Sequence, residues 1–168
     1  RMNIAMAAFN YVAALDGLGP FEVLARLAGA TGDWVGLEPG VGRTEEGSGV
    51  GMNVDKVFED VPNPAIVVIP GGRGEQALRD NRRFLAWLRA AHETSTWTTS
   101  VCTGSLLLGS AGLLEGKRAT SHWLALDLLP AFGAEPTLER VVIAGDVITA
   151  AGVSSGIVVA LTLEAALA

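Results

Sequence analysis

Two stretches of this chain carry no charge from end to end, Thr94 to Leu114 and Val147 to Leu163. Such runs have few ways to fold. A membrane helix wants about 20 consecutive apolar residues, whereas both runs are broken in the middle by Gly, Ser and Thr. A strand buried on both faces that feeds a packed helix also reads as a nearly continuous apolar run. The rest of the sequence favours this second solution. "AIVVIP", Ala65 to Pro70, is short, β-branched and closed by Pro70-Gly71-Gly72, as a buried strand ending in a turn should be.

The remaining segments repeat the alternation. "NIAMAAF" (Asn3 to Phe9) predicts a buried first strand, followed by a loop holding Asp16 and Gly17. A helix should then start near Pro20 and end between Gly29 and Gly32. "DWVGLE" is a strand, and Gly40 to Gly51 a hairpin or loop. Leu78, Phe84, Leu85 and Leu88 place one helix over Gln76 to Glu93. "TWTTSV" is a strand, "TGSLLLGSAGLL" a helix, and "SHWLALDLL" a short helix closed by Pro130. Two short strands meet at Gly145-Asp146, and "VSSGIVVALTLEAALA" is the last helix. Strands alternating with helices predict a single α/β domain over residues 1–168, layered around a mostly parallel sheet.

Composition removes several function classes. The chain has 168 residues, 49% hydrophobic and 18% charged, with a net charge of −6. An acidic surface repels phosphate backbones, so nucleic acid is not an expected partner. One cysteine cannot form an intrachain disulfide and fits a reducing cytoplasm. The apolar start lacks a cleavage pattern, so no leader peptide and no membrane association are expected. Two histidines and one cysteine give no metal-ligand spacing.

In open parallel sheets chemistry collects beyond the carboxyl ends of the strands. Asp16, Gly71-Gly72 and Cys102 all fall there. Cys102 is either a small apolar filler or a nucleophile at a strand-to-helix turn. In the second case the first amides of the following helix, from Thr103 onward, would favour thiolate and hold developing negative charge. Asp16 is either a turn or cap residue or a buried acid whose pKa is raised by desolvation and by the neighbouring thiolate. Gly71 and Gly72 either form a plain turn or aim amides at an anion. "GGRGEQA" matches a dinucleotide fingerprint weakly, without the acidic residue expected further on. His122 is a possible base for Cys102 or a helix-start histidine, and His92 should be exposed. Trp123, Phe9 and Leu18 are either pocket or core.

Four stretches, "LDGLGPFEVL", "IVVIPGG", "SVCTGSLLLGSAGLLEGKRATSHW" and "ITAAGVSSGIVVALTLEAAL", resemble the DJ-1/PfpI superfamily over nearly the whole chain. Within it the chain is most similar to the isocyanide (isonitrile) hydratases, and similar also to the amidase-like sensor domain of AraC-type regulators. The resemblance implies a flavodoxin-like α/β sandwich of the class I glutamine amidotransferase type, usually a homodimer. It implies Cys102 as nucleophile on a sharp elbow and Asp16 as acid/base, where many relatives carry glutamate. It places the Gly72 and Thr103 amides at an anion site; Gly71, His122 and Trp123 are candidates for the residues behind or around it. Thr103 stands where protease-like members carry histidine, which speaks against peptidase activity. The activity implied is cofactor-free addition of water to a small-molecule substrate, R–N≡C, giving an N-formamide. The alternatives are the regulator's sensing domain, which should continue into a helix-turn-helix not seen before Ala168, and a glyoxalase- or stress-type protein whose Cys102 oxidises.

Overall fold

The structure is a computed structural model that describes residues 2–45, 48–152 and 155–167. In chain order the elements are β1 (Met2–Ala7), α1 (Ala14–Leu24), β2 (Ala30–Gly36), β3 (Gly40–Glu45), β4 (Ser48–Val54) and β5 (Lys56–Val57). A 3-10 turn (Phe58–Asp60) precedes β6 (Ile66–Ile69), α2 (Glu75–Leu78), α3 (Arg82–Thr94), β7 (Trp97–Val101) and α4 (Gly104–Ser110). Then come β8 (Arg118–Ala119), a 3-10 segment (Trp123–Phe132), β9 (Glu135–Pro136), β10 (Val141–Ala144), β11 (Val147–Ala150) and α5 (Ser155–Leu167).

Seven of these strands form one sheet in the order β10-β11-β7-β6-β1-β2-β5. Neighbours are parallel except β10, which runs antiparallel to β11. β3 and β4 form a separate antiparallel hairpin.

The apolar runs resolve into two faces at period two. Ala5, Ala7, Val67 and Ile69 point to one face and pack with Leu78, Phe84, Leu88, Leu106 and Leu107. Ile4, Met6, Ile66, Val68, Ile148 and Ala150 point to the other and pack with Leu24, Val159, Ala160 and Leu163. Neither face of these strands meets water, so no alternation of polar residues is needed. The two charge-free stretches are β7 with α4 and β11 with α5. No helix among the described residues is long and apolar enough to cross a membrane.

The structure corrects the sequence reading at several points. Asp16 and Gly17 lie in α1, which starts at Ala14 and holds Pro20 inside it. The helix expected over Gln76 to Glu93 is two helices, because the Asn81 side chain accepts from the Phe84 amide and caps a new start. α4 stops at Ser110, with Gly112 in the left-handed region (φ 81°) just beyond. The segment after His122 is a 3-10 helix that runs through Pro130 to Phe132. In the last helix, Val153, Ser154 and Ala168 lie outside the described residues.

Candidate active site

The carboxyl ends of β1, β6 and β7 deliver three turns to one place. The turn after β1 and the turn after β6 are laced together by backbone bonds. Ala13 N donates to the Gly71 carbonyl at 2.9 Å, and Gly74 N to the Tyr11 carbonyl at 3.2 Å. Gly71 N donates back to Asp16 Oδ2 at 3.1 Å. The turn after β7 closes on the same point. A side chain at Gly104 would sit 2.1 Å from the Ile69 carbonyl oxygen, and one at Gly71 would sit 2.5 Å from Thr103 Oγ1. Both positions need glycine because backbone approaches backbone there.

Cys102 occupies this junction with φ at 58°. For a residue with a Cβ this left-handed conformation costs about 1–2 kcal/mol. The surroundings hold it there. Cys102 N donates to the Ala150 carbonyl on β11 at 2.9 Å, and its own carbonyl accepts from Ser121 Oγ at 3.1 Å and Ser105 Oγ at 3.4 Å. The residue is 7% exposed.

Asp16 faces the thiol and is fully buried. Desolvation raises its pKa from 3.8 to about 6, against the lowering pull of the Gly71 amide and of the Cys102 thiol. Asp16 Oδ1 has no hydrogen-bond partner among the described residues. Burial and the charge on Asp16 push the Cys102 thiol up as well, to about 11. The amide and hydroxyl of Thr103 oppose this shift without reversing it.

That is a correction to the sequence reading. The amide beyond Cys102 does act on the sulfur, but α4 is one short helix and both side chains are buried, so desolvation wins. Near neutral pH the pair holds one proton, which rests on sulfur, with the Asp16 carboxylate beside it. The thiol lowers the aspartate's pKa instead of raising it, because it is a donor rather than a second anion.

The other residues singled out in the sequence divide in two. Thr103 lies in the site, its Oγ1 accepting from Gly72 N at 3.1 Å. The Gly72 amide expected to meet an anion is thus engaged by Thr103, and the Gly71 amide serves Asp16 directly. His122 turns away to cap its own helix, with Nδ1 accepting from Leu124 N at 3.2 Å and its ring stacked on Trp123. Trp123 is 72% exposed. Leu18 packs against the cluster of Ala8, Val12 and Met52. Phe9 lines a cavity of about 370 Å³ with Leu37, Glu38, Val41 and Val54, which includes neither Cys102 nor Asp16. His92 is half-buried, not exposed, with Nδ1 2.8 Å from Thr98 Oγ1 at the opposite end of β7.

Sequence reasoning passed over Ser105, Ser121 and Glu75. The two serines are fully buried hydroxyls on the Cys102 carbonyl. Glu75 is 2% exposed, opens α2 just past the glycine turn, and holds Arg79 through two bonds of 2.8 and 2.5 Å. Only Ser105 left a signal in the sequence, a hydroxyl inside the apolar run that becomes α4.

The profile of the DJ-1/PfpI family matches residues 2–165. The isonitrile hydratase of Pseudomonas putida is 41% identical over 164 residues, which span 96% of this chain and 70% of that protein. The HTH-type transcriptional regulator CdhR of Pseudomonas aeruginosa is 27% identical over 124 residues, 74% of this chain and 37% of the regulator. Among solved structures, a THiJ/PfpI family protein from Pseudomonas syringae superposes with a TM-score of 0.93 at 34% identity, covering 99% of this chain and 69% of its own.

Proposed function

This chain belongs to the DJ-1/PfpI family, and from that footing we propose that it is an isocyanide hydratase-like enzyme working through Cys102 and Asp16. The observation that carries the proposal is the pairing of a thiol with a fully buried carboxyl of pKa about 6 where the turns after β1, β6 and β7 meet. An isocyanide has an electrophilic carbon and no leaving group. Its hydration needs a nucleophile, a proton delivered to that carbon, and water. The 41% identity to an isonitrile hydratase supports the same substrate class.

The steps follow from one shared proton. The Asp16 carboxylate takes the proton from Cys102 as sulfur attacks the isocyanide carbon and a C–S bond forms. Asp16 then returns that proton to the carbon, giving the thioimidate R–N=CH–S–Cys102. A carboxyl with a pKa near 6 can serve in both directions near neutral pH. Water adds across C=N with Asp16 as base, its oxygen to carbon and a proton to nitrogen. The C–S bond breaks as the new hydroxyl loses its proton, which returns to sulfur. The sum is R–N≡C plus water to R–NH–CHO. Thr103, whose amide and hydroxyl act on the sulfur, steadies the thiolate as it forms. A homodimer, as the resemblance implies, belongs to the same proposal and is read by light scattering.

The similarity to a transcription regulator favours one other reading, a domain that binds a small ligand without converting it. Exposure to an aryl isocyanide with product analysis by mass spectrometry separates the two. N-formamide in large molar excess over protein supports the enzyme. Saturable binding without product supports the sensor.

A further inference from the structure

The segment from Arg118 to Trp123 contributes an anchored hydroxyl beneath the reactive turn. Its backbone is tied to β11, with Thr120 N donating to Thr149 Oγ1 at 2.9 Å. Ser121 is fully buried, and its hydroxyl donates to the Cys102 carbonyl at 3.1 Å. On the other side of Cys102 the amide is fixed to the Ala150 carbonyl. The peptide that links Cys102 to Thr103 is planar, so its carbonyl and its N–H point in opposite directions. A donor that draws the carbonyl inward sends the Thr103 N–H the other way, and that N–H acts on the sulfur.

We propose that Ser121 is a positioning residue for Cys102: its hydroxyl fixes the Cys102–Thr103 peptide plane so that the Thr103 amide faces the sulfur. The hydroxyl thereby also helps to hold the left-handed conformation at Cys102. Ser105 donates to the same carbonyl at 3.4 Å from within the first turn of α4. It is the weaker partner, and by itself it leaves the plane free to tilt. The ionisable group that acts on the sulfur from another element is Asp16 on α1, and none of the variants below alters it. The proposal rests on Cys102 as the reacting thiol and not on the identity of the substrate.

Alkylation by iodoacetamide reads this directly, because the chain has one cysteine. The second-order rate at pH 8.5 is measured for the intact protein and for Ser121→Ala, Ser121→Thr and Ser105→Ala, with folding followed by circular dichroism. Ser121→Ala should react about 3- to 10-fold more slowly, the range expected when the thiol loses one aligned donor. Ser121→Thr, which keeps the hydroxyl, and Ser105→Ala should stay within about 2-fold of the intact protein. A folded Ser121→Ala that reacts at the original rate overturns the proposal. So does a Ser121→Thr as slow as the alanine variant, since shape and not the hydroxyl would then matter. A Ser121→Ala chain that does not fold overturns it too, because a positioning residue leaves the fold standing. Formamide production does not enter these readings, so failure of the hydratase proposal and failure of this one are separate results.

Discussion

Replacing Asp16 by Asn should stabilise the protein while abolishing its chemistry. The side chain is fully buried, and desolvation lifts its pKa from 3.8 to about 6. That is roughly two units, or about 3 kcal/mol set against the ionised form at about 1.4 kcal/mol per unit. The sign follows from linkage. A carboxyl whose folded-state pKa is raised contributes stability that is complete below pH 3.8 and is lost as pH rises through about 6. Asn carries no charge, and its oxygen still accepts from the Gly71 amide, the 3.1 Å bond that Asp16 makes now. The gain should therefore approach 3 kcal/mol at pH 8 and vanish below pH 3.8. For a domain of this size that is about 6–12 °C in Tm. Urea unfolding of both proteins from pH 3.5 to 8 tests it, with the difference between the curves isolating this one group. A difference that does not change with pH would refute the reasoning, as would an asparagine variant less stable than the parent at pH 8.

The shared proton also sets the pH profile of turnover. kcat/KM should rise as pH passes about 6, where Asp16 ionises and can accept, and fall through about 11, where the resting proton on Cys102 is lost; a profile flat from pH 5 to 8 contradicts the assignment. Thr103→Val keeps the shape but leaves the Gly72 amide unpartnered, which should cost about 1–3 kcal/mol in urea unfolding and reduce kcat more than it raises KM. Gly104→Ala would put a methyl 2.1 Å from the Ile69 carbonyl oxygen. A thermal melt should show a loss of more than about 4 kcal/mol, well outside the usual range for one methyl group, or no folded protein at all.

The parts of the fold that were legible are those set by local pattern. The Ile66–Ile69 strand follows from a β-branched run closed by Pro70-Gly71-Gly72, the junction from Val101 into Gly104 from a Thr- and Val-bearing run ended by glycine, and the glycine-rich polar stretch Gly40 to Gly51, read as a hairpin or loop, is part of the β3–β4 hairpin. The start of α1 was hidden because Ala13 caps it with no side-chain bond, while Pro20 imitates a first helical position from inside the helix. The break at Asn81 was hidden because the apolar spacing of Leu78 and Phe84 continues across it. At the site, the convergence of Asp16, Gly71 and Cys102 came from strand ends and from resemblance. Which glycine amide serves which acceptor, and where the proton rests, did not. Those are settled by contacts 31 to 55 residues apart in sequence and by desolvation, neither of which leaves a periodic trace. Ser121 was hidden for the same reason, since its partner lies 19 residues away.

The central claim is that Cys102 and Asp16 together hydrate an isocyanide. It is tested most directly by following N-formamide from cyclohexyl isocyanide with the intact protein, Cys102→Ala and Asp16→Asn side by side, each confirmed as folded. The account predicts many turnovers by the intact protein and none above the uncatalysed rate for either variant. Formamide from Cys102→Ala at the rate of the intact protein, or none from the intact protein itself, would contradict it.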